Sequence, residues 1–200
     1  MKRFLYVLAF ILPTLSCFSQ ANNNVTDPEK DFKEAKDFFI KDQYSLAYPL
    51  LKTLRDKYPE NTQSSHAYLN QDIAYYYIVC GLKLNQEVAE DEATRFVADA
   101  NNEPRQQMMS YHLAQYYFTK NDYARATVFY ERAGYDNLSN DEIADAKFEL
   151  AYSYFSLKQF EKAKPLFNEI HQLPDNKYYY DANYYYGFIG YRDQIGRAHV

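Results

Sequence analysis

Tryptophan is absent from the 200-residue sequence, and glycine (5), proline (7) and cysteine (2) are scarce. So few backbone breakers exclude a loop-rich fold and favour long packed helices. Two cysteines exclude a disulfide-dense scaffold. Neither sign of charge dominates: 22 basic against 27 acidic residues give a net charge of −5. No basic block marks a nucleic-acid footprint, and no acidic tail is present. What the chain has in excess is tyrosine (23) and phenylalanine (14). With 47% of residues hydrophobic, it has the material for a core and is not a disordered polymer.

The N-terminus runs Met1-Lys2-Arg3, then apolar from Phe4 to Leu15, then Ser16 to Ala21. A charged start, a short apolar stretch and small residues near a cleavage point predict a signal peptide over 1–21, followed by a short linker over 22–27. The apolar run is too short to span a bilayer, and Pro13 interrupts it, so no transmembrane span is expected in the mature chain. Cys17 has two readings. Ser16 before it suits a lipid anchor, whereas Thr14 does not; the other reading is a small residue closing the apolar stretch. Cys80 sits among Tyr75, Tyr77, Ile78 and Val79 and is expected to be a buried, inert thiol.

A repeat organises the rest. Leu113-Ala114-Gln115-Tyr116-Tyr117 followed by Asp122-Tyr123-Ala124-Arg125-Ala126 recurs as Leu150-Ala151-Tyr152-Ser153-Tyr154 followed by Gln159-Phe160-Glu161-Lys162-Ala163. Both alanines recur at 37 residues and lie 12 apart within a unit. Small residues at fixed positions let two antiparallel helices approach, while large residues one turn away fill the space beside them. Ala35, Ala47, Ala74, Ala114, Ala126, Ala151, Ala163 and Gly187 are the expected packing positions. In the second unit Ala74 and Tyr77 serve the first helix, the connection from Gly81 to Glu87 carries about three extra residues, and Ala89, Ala93 and Phe96 serve the second helix. Asp136 to Asn140 reads as a turn in which Ser139 or Asn140 caps the next helix.

This arrangement resembles the tetratricopeptide repeat (TPR), in which a small residue, an aromatic one turn later and an aromatic after the turn precede an early alanine on the second helix. Ala114, Tyr117, Tyr123, Ala126 and Tyr130 match it, as do Ala151, Tyr154, Phe160, Ala163 and Phe167, and Ala35, Phe38, Tyr44, Ala47 and Leu51 with Pro59 after. The resemblance implies an all-α, right-handed solenoid of antiparallel helix pairs with units at 28–62, 66–101, 106–138, 142–174 and 178–194, the last holding only its first helix. Together with the tyrosine-rich segments Ala74 to Tyr77 and Asp181 to Gly187, the signal peptide makes the chain similar to the N-terminal part of long exported TPR proteins of Bacteroidota. Residues 195–200, Ile-Gly-Arg-Ala-His-Val, match a sequencing-adapter translation, so a non-native tail is expected there, on a protein that continues.

Catalytic signatures are missing. His66, His112 and His171 form no metal-binding pair, and there is no nucleophile elbow, Cys–His pairing or phosphate loop. No cofactor and no enzyme activity are expected. His112 reads as a packed or surface residue; His66 and His171 read as solvated. The resemblance implies instead a groove lined by the first helix of each unit, with Phe32, Lys36, Phe39, Tyr75, Tyr111, Gln115, Phe118, Phe148, Tyr152, Phe155, Tyr184 and Phe188 facing inward. The expected function is a protein–protein interaction scaffold of the cell envelope, in the periplasm or on the periplasmic face of the outer membrane, with a protein or peptide as partner. The alternatives are a structural spacer for a further C-terminal domain and a periplasmic glycan-binding module.

Overall fold

The computed structural model describes residues 27–59, 67–99 and 102–198. The predicted signal peptide, Cys17, His66 and His199 lie outside the described residues. Among the described residues nine helices follow one another without a strand: α1 Pro28–Ile40, α2 Tyr44–Lys57, α3 Ala67–Lys83, α4 Ala89–Asp99, α5 Glu103–Thr119, α6 Tyr123–Ala133, α7 Asn140–Ser156, α8 Phe160–His171 and α9 Tyr179–Ala198. None is long and apolar enough to cross a membrane.

Local chemistry starts these helices. Asp27 accepts from the Glu29 amide with Pro28 in the first turn, Asn102 accepts from Arg105, and Asp122 accepts from Arg125. Ser139 and Glu142 form a reciprocal capping box at the head of α7, so of the two candidate caps, Ser139 and Asn140, the structure uses Ser139. The turns that end the odd helices share one geometry. Asp42, Asn85, Asn121 and Lys158 each adopt a left-handed φ between 53° and 60°. The following amide then bonds back to the carbonyl five residues earlier: Gln43 to Phe38, Gln86 to Gly81, Asp122 to Tyr117 and Gln159 to Tyr154. This is the bonding of a Schellman cap, which satisfies orphan carbonyls and reverses the chain.

Helices therefore pair as α1–α2, α3–α4, α5–α6 and α7–α8, and each pair packs on the next. The odd helices α1, α3, α5 and α7 also touch one another in turn, with no comparable contact between successive even helices. Closer spacing along the odd row makes it the inner face of a helical solenoid. Along the core, Ala35, Ala47, Ala114, Ala126, Ala151 and Ala163 are fully buried, with Leu51, Val97, Tyr130 and Phe167 one turn past the small residue of each even helix.

Two positions differ from the sequence reading. The common turn aligns Gly81 with Tyr117 and Tyr154, so α3 continues through Gly81 to Lys83 and the extra residues fall between Gln86 and Ala93. Ala74 is buried but lies a turn further from the hairpin than Ala114 in its own unit. The close approach there belongs to Gly81, where a Cβ would meet that of Ala89 at 2.9 Å. Gly187 is exposed, and a Cβ on it would meet nothing within 4 Å. It lies on the face of α9 turned away from α8, so no described helix axis approaches it.

Candidate functional site: the inner face

Three environments succeed one another along the odd helices. At α1–α3 the aromatic side chains close on themselves. Phe32 and Phe39 pack on Tyr76 with ring centroids 5.7 and 4.8 Å apart, and Lys36 lies 5.6 Å over the same ring. Phe32 is buried, while Lys36 and Phe39 are half-buried. Tyr75 is fully buried, and the Arg105 guanidinium lies 4.6 Å above its ring while bonding Asp72 at 2.5 Å.

The middle is polar. Tyr75 OH and His112 Nε2 lie 3.0 Å apart, linking α3 to α5. Gln115 donates to Tyr111 OH at 2.8 Å and accepts from Lys83 Nζ at 2.9 Å. Next along the face, Glu149 of α7 accepts a hydrogen bond from Tyr130 OH, and Asp145 accepts from Tyr178 OH and pairs with Lys177. Desolvation disfavours charge on the buried His112 and the half-buried Glu149: it pulls the His112 imidazole down to about 3 and, reinforced by Asp145, pushes the Glu149 carboxyl up to about 7 against the pull of Tyr130 and the lysines. Tyr111 and His112 thus belong to the core, whereas Gln115, Asp145, Glu149 and Tyr178 are half-buried and Lys83 and Lys177 are exposed.

From α5 to α9 the face becomes an aromatic lane. Phe118 meets Tyr152 at 5.8 Å, Tyr152 meets Tyr185 at 5.4 Å, and Phe155 meets Tyr185 at 4.8 Å and Phe188 at 5.5 Å. Phe148 stacks on Tyr178 at 4.1 Å with the rings 2° from parallel. Phe118, Phe148, Tyr152, Phe155 and Tyr185 are half-buried, so each ring packs against a neighbour and keeps an edge or face in water. Edge-to-face rings held this way form a rigid apolar surface at little entropic cost.

Of the twelve residues expected to line the groove, the structure places Phe118, Phe148, Tyr152 and Phe155 together in this lane and brings Phe188 to its edge. Tyr184 stands apart from it, exposed on α9. Phe32, Tyr75 and Tyr111 are core residues, because a first helix of the solenoid is covered on more than one side. Tyr123, Tyr178 and Tyr185 complete the lane, at 5.7 Å from Tyr152 for Tyr123. Tyr123 and Tyr178 escape the expectation because they come from the α6 start and the α8–α9 connection rather than from a first helix. His171 is engaged rather than solvated: its ring stacks on Tyr186 at 4.9 Å, and Nδ1 lies 3.0 Å from Asn183 Oδ1.

The hairpin that supplies the centre of the lane is α7–α8. Residues 144–170 form a tetratricopeptide repeat by match to that family. The matched segment covers the body of both helices, including Ala151, Tyr154, Phe160, Ala163 and Phe167. No curated protein and no solved structure matches the chain. The shared turn geometry extends the same hairpin plan to α1–α2, α3–α4 and α5–α6. Tetratricopeptide repeats generally mediate protein–protein interaction.

Proposed function

We propose that this chain is an exported protein–protein interaction scaffold of the bacterial cell envelope, binding rather than catalytic, that holds a segment of a partner protein along its inner face. The observation that carries the reading is the lane from Phe118 through Tyr152 and Tyr185 to Phe155. Aromatic side chains that are anchored by their neighbours and half open to water are the residue type that dominates binding energy at protein interfaces. An extended or helical segment with apolar side chains at regular spacing fits such a surface. Export rests on the charged and apolar start of the sequence.

The test is photo-crosslinking in cells, with a photoreactive amino acid placed at Phe118 or Tyr152 and, as control, at Leu46 on the outer helix α2, which is also exposed. A discrete adduct from the lane positions but not from Leu46, lost in a Tyr152→Ala/Phe155→Ala variant crosslinked from position 118, is the expected outcome. No adduct from any lane position, with the folded protein present in the envelope fraction, contradicts the proposal. Recovery of the folded protein from the cytoplasm contradicts the export assignment.

A further inference from the structure

The aromatic lane begins at an acidic step on the same helix. At about 100° per residue, Glu142, Asp145, Glu149 and Tyr152 of α7 fall within roughly a quarter of the helix circumference. All four are half-buried. One inner stripe therefore carries carboxyls over its N-terminal half and leads into the rings of the lane at Tyr152. α7 packs against α5, α6 and α8, and its rings meet Tyr178 and Tyr185 beyond. The stripe thus lies within the helix row, with neighbours on either side.

The groups around this step are already engaged with one another, except at one point. Glu142 accepts from the Ser139 amide and hydroxyl at the cap. Asp145 pairs with Lys177 at 2.5 Å, and Lys83 Nζ donates to Gln115 at 2.9 Å. Glu149 accepts from Tyr130 OH and forms no ion pair among the described residues. Desolvation holds its carboxyl up at about 7. A cation arriving from outside favours the ionised form and offsets that cost. An acidic segment on the same stripe is repelled, so charge selects among the segments that the rings alone accept.

The spacing sets the pattern of the segment. From Glu149, Tyr152 lies about 4.5 Å and Phe155 about 9 Å along α7. Two or three residues of extended chain span that range.

We infer that the partner segment is basic as well as apolar: its lysine or arginine ion-pairs with Glu149, and a large apolar side chain two or three residues away seats on Tyr152 and Phe155. This rests on the lane being the binding surface, and it makes Glu149 the residue that sets specificity there.

Selection of displayed random peptides of about a dozen residues on the full chain at pH 8 tests this. Enriched peptides are expected to hold a large apolar residue with a lysine or arginine two or three positions away. Replacing that basic residue by methionine is expected to raise the dissociation constant about tenfold on the wild-type chain and to leave it unchanged on Glu149→Gln. A photoreactive amino acid at position 118 or 152 reports whether the peptides lie on the lane. Peptides that crosslink there but show no basic preference overturn the inference and leave the lane standing. So do peptides whose basic residue matters as much on Glu149→Gln as on the wild type. Peptides that crosslink from neither position, or a selection that enriches none, contradict the lane itself and the inference with it.

Discussion

α7 and α9 are two versions of one helix in two settings. Ala146 and Ala182, 36 residues apart, are both buried against the preceding even helix, as are Ser153 and Ile189. The same step equates Ala151 with Gly187 and Glu149 with Tyr185. α7 is covered a second time by α8, whereas α9 has its far face exposed. The small residue of α7 is therefore fully buried and that of α9 opens onto solvent. The difference shows that the burial of an alanine in this fold is conferred by the next helix and not by the helix that carries it.

Substitutions break that comparison most sharply where α8 supplies the cover. Phe167 of α8 is fully buried between the rings of Phe148, Phe155 and Tyr185. Phe167→Ala is expected to cost about 3–5 kcal/mol, through lost burial and the cavity left behind. Tyr191→Ala on the exposed face of α9 is expected to stay within about 0.5 kcal/mol. Urea unfolding of both variants checks the contrast.

The equated small positions come next. Ala151→Leu inserts three carbons where α7 meets α8 and is expected to cost about 1–3 kcal/mol. Gly187→Leu meets open space and replaces a poor helix former, so the chain is expected to gain about 0.5–1 kcal/mol. Opposite signs for one leucine at two equated sites, measured by thermal or urea unfolding, are the signature of a position packed against α8 set against one that faces open space.

The polar position of α7 has its own signature in pH. Glu149 faces Tyr130, Lys83, Lys177 and its neighbour Asp145. Its folded pKa, about 7, lies above the ordinary 4.5, so the folded state binds the extra proton and stability falls as pH rises from 4.5 through 7. His112, facing Tyr75, Tyr111, Gln115 and Lys83, has the opposite sense. Its folded pKa, about 3, lies below the ordinary 6.5, so stability falls as pH drops below 6.5. Between about pH 4.5 and 6.5 the two slopes oppose each other. Glu149→Gln is expected to leave the His112 slope exposed, with stability declining on acidification, and to raise stability at pH 8 by the order of 1–3 kcal/mol. Chemical denaturation at pH 5, 6.5 and 8 checks both.

The smallest expected effect lies in the turns. Asn121 and Lys158 hold the same left-handed conformation, which asparagine tolerates better than lysine. Lys158→Asn is expected to gain a few tenths to about 1 kcal/mol, and Asn121→Lys to lose a similar amount. Urea midpoints of the two exchanges measure it.

The helix pairs were legible because packing two helices closely leaves a trace in residue size: the alanines at 37-residue intervals mark where axes approach. Ser139 was legible as a cap because its chemistry is local. The shared turn was harder to read, since aspartate, asparagine and lysine occupy one left-handed position and only two of the four are asparagine. The second unit shifted for the same reason. Its close contact uses Gly81 rather than an alanine, and an alanine search settles on Ala74 instead. The inner face was legible as a set of helices, but not as a list of residues. Helical spacing says which aromatics share a side, yet an odd helix is flanked by neighbours on several sides. Tyr75 and Tyr111 are taken into the core, whereas Phe118 and Tyr152 remain half open. Tyr178, in the α8–α9 connection, left no periodic signal, and Tyr123 was legible as the aromatic after the turn, the position of Tyr44 and Phe160, but not as part of this face.

Hydrogen exchange read by mass spectrometry compares α7 and α9 in one experiment. Amides of α7, packed between α6 and α8, are expected to exchange slowly. Amides of α9, packed on α8 with the far face exposed, are expected to exchange faster. Equal protection of the two helices would contradict the account, because α9 would then be as fully covered as α7.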